Sequence, residues 1–114
     1  MKDLKYLQLF DAYGALLTEH QKEVCELYYM CDLSLTEIAE QKGTSKQSVS
    51  EMLAKSRALL DEYEEKLHIV QAAQRAAAAA EKLSAFAAKH PELAAEIDEI
   101  LSVLQIGEEP QSEQ

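Results

Sequence analysis

Residues 33–57 read LSLTEIAEQKGTSKQSVSEMLAKSR, and this stretch decides the fold. Ser34 is followed three residues later by Glu37, which is the pattern of a capping box and predicts that a helix begins there. Gly43 predicts the end of that short helix, because glycine adopts the left-handed backbone conformation without a Cβ penalty. The stretch therefore predicts a helix that stops at a tight turn.

A second helix is predicted immediately after the glycine. Thr44 and Gln47 form another capping box, so this helix should begin one residue past the turn. Apolar residues then recur at spacings of three and four, which is the period of a helix with one buried face. The predicted buried residues are Ile38 and Ala39 in the first helix and Val49, Met52 and Leu53 in the second.

Two short helices joined by a glycine turn are the organisation of a helix-turn-helix, in which the start of the second helix reads base edges in the major groove. Lysine can donate to guanine, glutamine can pair with adenine, and glutamate can accept from cytosine although it repels phosphate. The alternative is a helical corner that only packs. In the nucleic-acid interpretation, the predicted groove-facing residues are Ser45, Lys46, Gln47, Ser50 and Glu51, and the predicted phosphate contacts are Lys42, Lys55 and Arg57.

The chain before this motif has a helical rather than an alternating apolar period. Residues 3–17 predict a first helix that closes over the core, and Thr18 with Gln21 predicts a capping box that starts a second helix. Cys25 and Cys31 do not have the Cys-x-x-Cys spacing and predict reduced thiols that serve as small core residues. The predicted buried face of the second helix is Val24, Leu27, Tyr28 and Cys31.

Residues 4–70 resemble two bacterial families. The resemblance to region 4 of sigma factors lies in THEQKEV (18–24), in Tyr28 and Tyr29, and in DLSLTEIAE (32–40). The closer resemblance, to the YlxM family, lies in LFDAYG (9–14), LLT (16–18) and LDEYEEKL (60–67). YlxM proteins are small helix-turn-helix proteins typically encoded beside Ffh and FtsY, the signal recognition particle GTPases. The resemblance therefore implies a role in the signal recognition particle pathway.

The composition argues against several classes of protein. The net charge is -10, and residues 58–114 carry most of it, with -8 against -2 for residues 1–57. This balance argues against a nonspecific nucleic-acid coat protein, although basic residues predominate between Lys42 and Arg57. No residue spacing suggests an enzyme, a metal site or a cofactor site. No apolar run is long enough to span a bilayer and no secretory signal precedes the cysteines, so we expect a cytoplasmic protein.

The second half is predicted to be a helical extension of the same all-α fold. The recognition helix should either run on past Arg57 or break near residues 67–70. Residues 72–89 contain ten alanines, which favour helix but offer little area to bury. Pro91 predicts the start of a last helix that runs to about Gln105 and stops at Gly107. Its predicted apolar stripe is Leu93, Ile97, Ile100, Leu101 and Leu104.

That stripe needs a partner, and the sequence leaves two alternatives open. The last helix folds back on the face of Leu83, Phe86 and Ala87 as a hairpin, or it pairs with a second subunit. The predicted organisation is thus a helix-turn-helix domain at residues 1–70, an alanine-rich helical extension for hairpin formation or dimerisation at 71–106, and a disordered tail at 107–114.

Two functions remain open. In the first, a bacterial regulator binds duplex DNA through residues 45–57 and forms a homodimer through its C-terminal helices. In the second, implied by the YlxM resemblance, a non-DNA-binding accessory protein binds signal recognition particle RNA or Ffh and modulates it. A DNA reader needs exposed basic residues on its recognition helix, whereas an adaptor could lose Lys46 and keep its activity.

Overall fold

The computed structural model describes residues 2–104, and this part of the chain contains six α-helices and no β-strand. The predicted all-α class is confirmed. The chain divides into two compact units, Met1–Val70 and Gln71–Gln114. The first unit holds the helix-turn-helix.

The first unit consists of four α-helices and two short irregular turns. In chain order they are α1 (Leu4–Tyr13), a 3-10 turn (Gly14–Leu16), α2 (Glu19–Cys25), a π-helical turn (Glu26–Met30), α3 (Leu35–Lys42) and α4 (Lys46–Leu67). The prediction of a single helix over residues 3–17 is wrong in its last turn. Gly14 is a poor helix former, and a Cβ at this position would lie 2.9 Å from the Phe10 ring.

Two predicted capping boxes are present as expected. The Thr18 hydroxyl accepts from the Gln21 amide, and the Gln21 side chain accepts from the Thr18 amide. Ser34 and Glu37 make the same reciprocal pair at the start of α3. The starts of α2 and α3 are therefore fixed by local side chains, as the sequence predicts.

The turn between α3 and α4 has a different cap from the predicted one. Gly43 has a φ of 69°, and its amide and that of Thr44 donate to carbonyls in the last turn of α3. Because Thr44 belongs to the end of α3, the predicted capping box of Thr44 and Gln47 is wrong. Ser45 caps α4 instead, and its hydroxyl accepts from the Ser48 amide at 3.0 Å.

The core of the first unit surrounds α4, which contacts α1, α2 and α3. Burial of the predicted inner faces is confirmed for Ile38, Ala39, Val49 and Leu53, whereas Met52 is half-buried. The largest fully buried side chains of this core are Tyr13, Ile38, Leu53, Leu60, Val24 and Val49. This packing holds one side of α4 and leaves its other side free.

The π-helical turn changes which residues of the second helix reach the core. Val24, Cys25 and Tyr29 are buried, whereas Cys31 is exposed. The prediction that both cysteines are core residues is therefore correct for Cys25 and wrong for Cys31. The wider π turn shifts the side-chain register, and Asp32 then leaves the helix with a φ of 59°.

The recognition helix breaks rather than running on. α4 ends at Leu67 and α5 (Ile69–Lys89) begins two residues later. His68 lies between them with a φ of 55°, which is uncommon for a residue other than glycine. The predicted alternative of a break near residues 67–70 is thus confirmed, although neither glycine nor proline lies there.

The second unit is an antiparallel helical hairpin. A 3-10 turn (Pro91–Leu93) follows α5 and leads into α6 (Ala94–Leu104), so the predicted last helix begins with a tighter turn than expected. Leu101 lines a shallow depression together with Gln74, Ala78 and Glu81 of α5, and Ile97 is buried. The predicted stop at Gly107 and the tail at 107–114 lie outside the described residues.

Candidate nucleic-acid interface

The first turns of α4 form the exposed side of the helix-turn-helix. Val49 and Leu53 anchor the other side of the helix and are 2% and 1% exposed. The exposed side, which we call the recognition face, consists of Ser45, Lys46, Gln47, Ser50, Glu51 and Lys55. The structure therefore brings all five predicted groove-facing residues and one predicted phosphate contact onto one accessible surface.

A small buried contact lets α4 approach α2 closely. Ser56 is fully buried, and its hydroxyl donates to the Met52 carbonyl at 2.8 Å. This bond satisfies the only polar group of a side chain that would otherwise be costly to bury. Cys25 lies against Ser56, and burial raises the pKa of the Cys25 thiol. Cys25 therefore stays neutral and serves packing rather than chemistry.

Lys42 lies at the end of α3 but is already paired. Its ammonium forms an ion pair with the Glu23 carboxylate of α2, and the Lys42 side chain is only 22% exposed. The hydrogen bond and the charge of Lys42 lower the pKa of the Glu23 carboxyl. A phosphate contact by Lys42 would have to compete with this pair, which joins α2 to the end of α3.

Arg57 is similarly occupied, about three turns beyond the start of the recognition face. Its Nη1 donates to the Tyr29 hydroxyl at 3.3 Å, and its guanidinium carbon lies 5.9 Å from the centroid of the Tyr6 ring. The hydrogen bond to Tyr29 raises the pKa of Arg57, and burial raises the pKa of Tyr29. Arg57 thus ties α4 to α1 and to the π-helical turn.

The polar residues of the recognition face are arranged by local hydrogen bonds. Gln47 Nε2 donates to Glu51 Oε2 one turn later at 3.3 Å. This bond occupies one amide hydrogen and leaves the carbonyl oxygen and the second hydrogen of Gln47 able to pair with a base edge. The Ser45 hydroxyl is occupied by its capping role. Lys46, Gln47 and Ser50 are therefore the residues of this face with polar groups available to a ligand.

The recognition face carries few positive charges. Lys46 and Lys55 are its cations, and neither makes an ion pair within the described part of the chain. Glu51 offsets part of their charge. Such a face can neutralise few phosphates, so it predicts binding of modest strength and modest salt dependence.

Residues 2–104 offer no metal centre and no membrane-spanning segment. Within that range no three His, Cys, Asp or Glu side chains are grouped so that they could hold a metal ion. None of the described helices is both long enough and apolar enough to cross a membrane.

Sequence reasoning missed the residues that occupy Lys42 and Arg57. Glu23 and Tyr29 lie 19 and 28 residues before their partners, so no local spacing connects them. The one available signal was the polar Lys42 at a turn position where helix-turn-helix motifs usually have an apolar residue. An acidic residue on the neighbouring helix is the partner that such a lysine needs.

Comparison with known proteins extends the resemblance beyond the motif. The model of the UPF0122 family, described as "Putative helix-turn-helix protein, YlxM / p13 like", matches residues 1–100. This range includes the helix-turn-helix and the hairpin as far as Ile100. The second half, in which the sequence alone offered no family motif, is therefore covered by the same family model.

Individual relatives give the same result. A UPF0122 protein of Symbiobacterium thermophilum is 49% identical over 76 residues, which cover 66% of this chain and 71% of the relative. One from Halalkalibacterium halodurans is 46% identical over 69 residues, covering 60% of this chain and 63% of the relative. One from Bacillus cereus is 36% identical over 97 residues, covering 85% of this chain and 88% of the relative.

Proposed function

The chain belongs to the UPF0122 family of YlxM- and p13-like helix-turn-helix proteins, and we propose that it is a cytoplasmic regulatory protein that binds duplex DNA through its recognition face. One observation carries the proposal. In the first turns of α4, Gln47, Glu51 and Lys55 are exposed, whereas Val49 and Leu53, on the opposite side of the helix, are buried against the other helices. This is how a helix-turn-helix presents its second helix to the major groove.

The residues of the recognition face have complementary roles in this proposal. Lys46 and Gln47 lie in the first turn of α4, where the recognition helix of such motifs meets base edges. Lys46 donates to guanine, and Gln47, held by Glu51, pairs with adenine. Lys55, two turns further on, contacts the phosphate backbone. Glu51 lowers the affinity for nonspecific DNA. Its carboxylate repels phosphate, and this repulsion is offset only where the base opposite donates a hydrogen bond to it.

A homodimer would strengthen this binding. A single module with two cations should show a slope of log affinity against log salt of about -2. Two copies related by a twofold axis would present their recognition helices roughly 34 Å apart, one turn of DNA, and would double this slope. A palindromic operator is the target that such a dimer fits.

The test is fluorescence anisotropy with a random-sequence duplex across a salt series. We expect weak binding by the wild type that falls with salt, and loss of binding in Lys46→Glu. Lys66→Glu is the matched control, because it makes the same charge change at the far end of α4, where Lys66 pairs with Glu62. Equal losses in the two variants would show that total charge, not the recognition face, governs binding. Absence of wild-type binding at low salt would refute duplex binding.

A second candidate function is favoured by the scarcity of cations on the recognition face. A face with two lysines and Glu51, on a chain of net charge -10, is a poor polyanion binder and suits a partner recognised by shape or hydrogen bonding. The candidate is an accessory protein of the signal recognition particle pathway that binds the particle's RNA or the Ffh GTPase, as the YlxM resemblance implies. The scarcity of cations favours Ffh of the two, because RNA is itself a polyanion.

Purified components separate the two functions. Labelled wild-type protein is titrated with the duplex, with the isolated signal recognition particle RNA and with Ffh. Binding of RNA or Ffh that survives Lys46→Glu, together with no duplex binding, supports the accessory protein. Duplex binding that Lys46→Glu abolishes supports the DNA reader. Binding to none of the three refutes both.

A further inference from the structure

We propose that one face of the hairpin formed by α5 and α6 is the interface of a twofold homodimer, in which α5 of each chain packs against α6 of its partner. This inference does not depend on what the recognition face binds. It rests on apolar side chains that the hairpin leaves exposed and on two columns of opposite charge that flank them.

The hairpin does not cover all of its apolar surface. On α5, Leu83 and Ala87 are half-buried, and on α6, Ile97 is buried and Leu101 is half-buried; these residues mark the lines along which the helices face each other. Three large apolar side chains lie beside those lines and stay exposed: Phe86 (46%), Ile100 (49%) and Val103 (73%).

These exposed side chains lie on the same side of the hairpin. At about 100° per residue, Phe86 is displaced by about 60° from Leu83, and Ile100 and Val103 are displaced by about 60° and 120° from Ile97, all in the same rotational sense. The two helices are right-handed and antiparallel, so displacements in the same sense emerge on one face. We call this the hairpin face. Phe86 is held there by stacking on His90, with ring centroids 4.2 Å apart.

The charges on the hairpin face are segregated by helix. On α5 the basic residues recur every seven positions, so they form one column, whereas the same flank of α6 carries carboxylates. The column of α5 consists of Arg75, Lys82 and Lys89; on α6, Glu96 lies about 100° from Ile97 in the same sense, and Glu99 lies at the outer edge of the face, about 160° from Ile97. All five side chains are exposed, and none of them makes an ion pair within residues 2–104.

This pattern fits a second copy better than a different partner. A basic partner would match α6 and be repelled by α5, and an acidic partner would have the opposite difficulty. A second copy of the chain supplies both columns. If the twofold axis runs parallel to the helices, α5 of each chain lies on α6 of the other and every basic column meets an acidic one. A twofold axis across the helices would instead place the basic columns against each other.

The level of each residue along the hairpin identifies the expected pair. Leu101 lies level with the middle of α5, because it lines a depression with Ala77, Ala78 and Glu81. Because α6 runs antiparallel to α5, a step back from Leu101 to Glu99 corresponds to a step forward along α5. Glu99 therefore lies about level with Lys82. A twofold axis parallel to the helices preserves these levels. Lys82 of one chain therefore faces Glu99 of the other, twice in each dimer, with Ile100 and Phe86 in the apolar strip between the columns.

Charge reversal of the full-length protein tests this arrangement by sedimentation velocity across a concentration series. The wild type should be a dimer. Lys82→Glu and Glu99→Lys should each raise the dimer dissociation constant by about tenfold or more, because each places like charges opposite one another at both symmetry-related positions. Mixed in equal amounts, the two variants should recover a dimer. In the mixed dimer the introduced glutamate faces the introduced lysine at one position, and the native Lys82 faces the native Glu99 at the other.

The control lies on the other flank of α6. Asp98→Lys makes a charge reversal of the same size on the side of the helix away from the hairpin face and should leave the dimer intact. All three substituted residues are exposed, and circular dichroism checks that every variant is folded. A wild type that is monomeric at all concentrations overturns the proposal, as does a dimer that both single reversals leave unchanged. Failure of the mixture to dimerise overturns the pairing of Lys82 with Glu99.

Discussion

The Tyr13 hydroxyl donates a hydrogen bond to the Glu64 carboxylate over 2.5 Å, and the two oxygens together cap the start of α5. Tyr13 Oη accepts from the Ile69 amide at 3.0 Å, and Glu64 Oε1 accepts from the Val70 amide at 3.0 Å. These amides follow His68, where the backbone turns left-handed. The break between α4 and α5 is therefore held by a side chain from α1, more than fifty residues earlier in the sequence.

Tyr13→Phe should destabilise the first unit by about 1–3 kcal/mol, because it leaves the Ile69 amide without its acceptor and removes a donor from the carboxylate. Tyr13 is 1% exposed, so water cannot readily replace the hydroxyl. Urea denaturation followed by circular dichroism measures the free energy of unfolding. Tyr63→Phe is the matched control, since its hydroxyl makes only a long contact of 3.5 Å with the Leu16 carbonyl. Equal losses in the two variants would contradict the capping role.

Much of the fold follows from short-range patterns, and the exceptions have a common cause. The capping box of Ser34 and Glu37 and the left-handed Gly43 are read from neighbouring residues, and the structure contains both. The break at His68 depends on Tyr13 and Glu64, which a local pattern cannot connect. The π-helical turn over Glu26–Met30 likewise contains no glycine or proline that would mark it in the sequence.

The candidate site divides in the same way. Exposure of Gln47 and Glu51 follows from the apolar stripe on the other side of their helix, so the sequence predicts it, whereas Lys46 lies near that stripe and is exposed as the first residue of α4. The state of Lys42 and Arg57 depends on Glu23 and Tyr29, which reach them from other helices. The sequence therefore indicates which basic residues lie near a recognition helix, but it does not indicate whether their charge is available to bind phosphate.

The cost of substituting Gly43 should depend on the backbone preference of the new residue rather than on the size of its side chain. Its φ is 69°, and nothing lies within 4 Å of a Cβ placed there. Gly43→Ala should therefore cost about 1 kcal/mol through the left-handed conformation alone, Gly43→Asn should cost less, and the β-branched Gly43→Val should cost most. Thermal denaturation of the three variants checks the order. A loss in Gly43→Asn as large as that in Gly43→Val would contradict a purely backbone effect.

Glu23→Gln should destabilise the protein at neutral pH but not in acid. Lys42 lowers the pKa of Glu23 below its ordinary value of 4.5, so the folded state favours the ionised carboxylate. This contribution is fully present above the ordinary pKa and is lost as the pH falls through the lowered one. The free energies of unfolding of the variant and the wild type, measured by urea denaturation, should thus differ at pH 7 and converge once the pH has fallen below the lowered pKa. Glu19→Gln, on the exposed start of α2, is the control and should lower the free energy of unfolding at pH 7 by less than Glu23→Gln does.

Substitution of Arg57 should affect stability but not DNA binding, whereas substitution of Lys55 should affect DNA binding but not stability. Arg57→Gln removes the hydrogen bond to Tyr29 and the contact with the Tyr6 ring, and should lower the free energy of unfolding by about 1 kcal/mol. Its salt slope for duplex binding should stay unchanged, because Arg57 is held by Tyr29 rather than free for phosphate. Lys55→Gln should leave stability unchanged and reduce the magnitude of the slope by about 1 per chain. Urea denaturation and anisotropy on the same two variants check both quantities. A slope reduced in Arg57→Gln would show instead that Arg57 leaves Tyr29 to contact phosphate when the duplex binds.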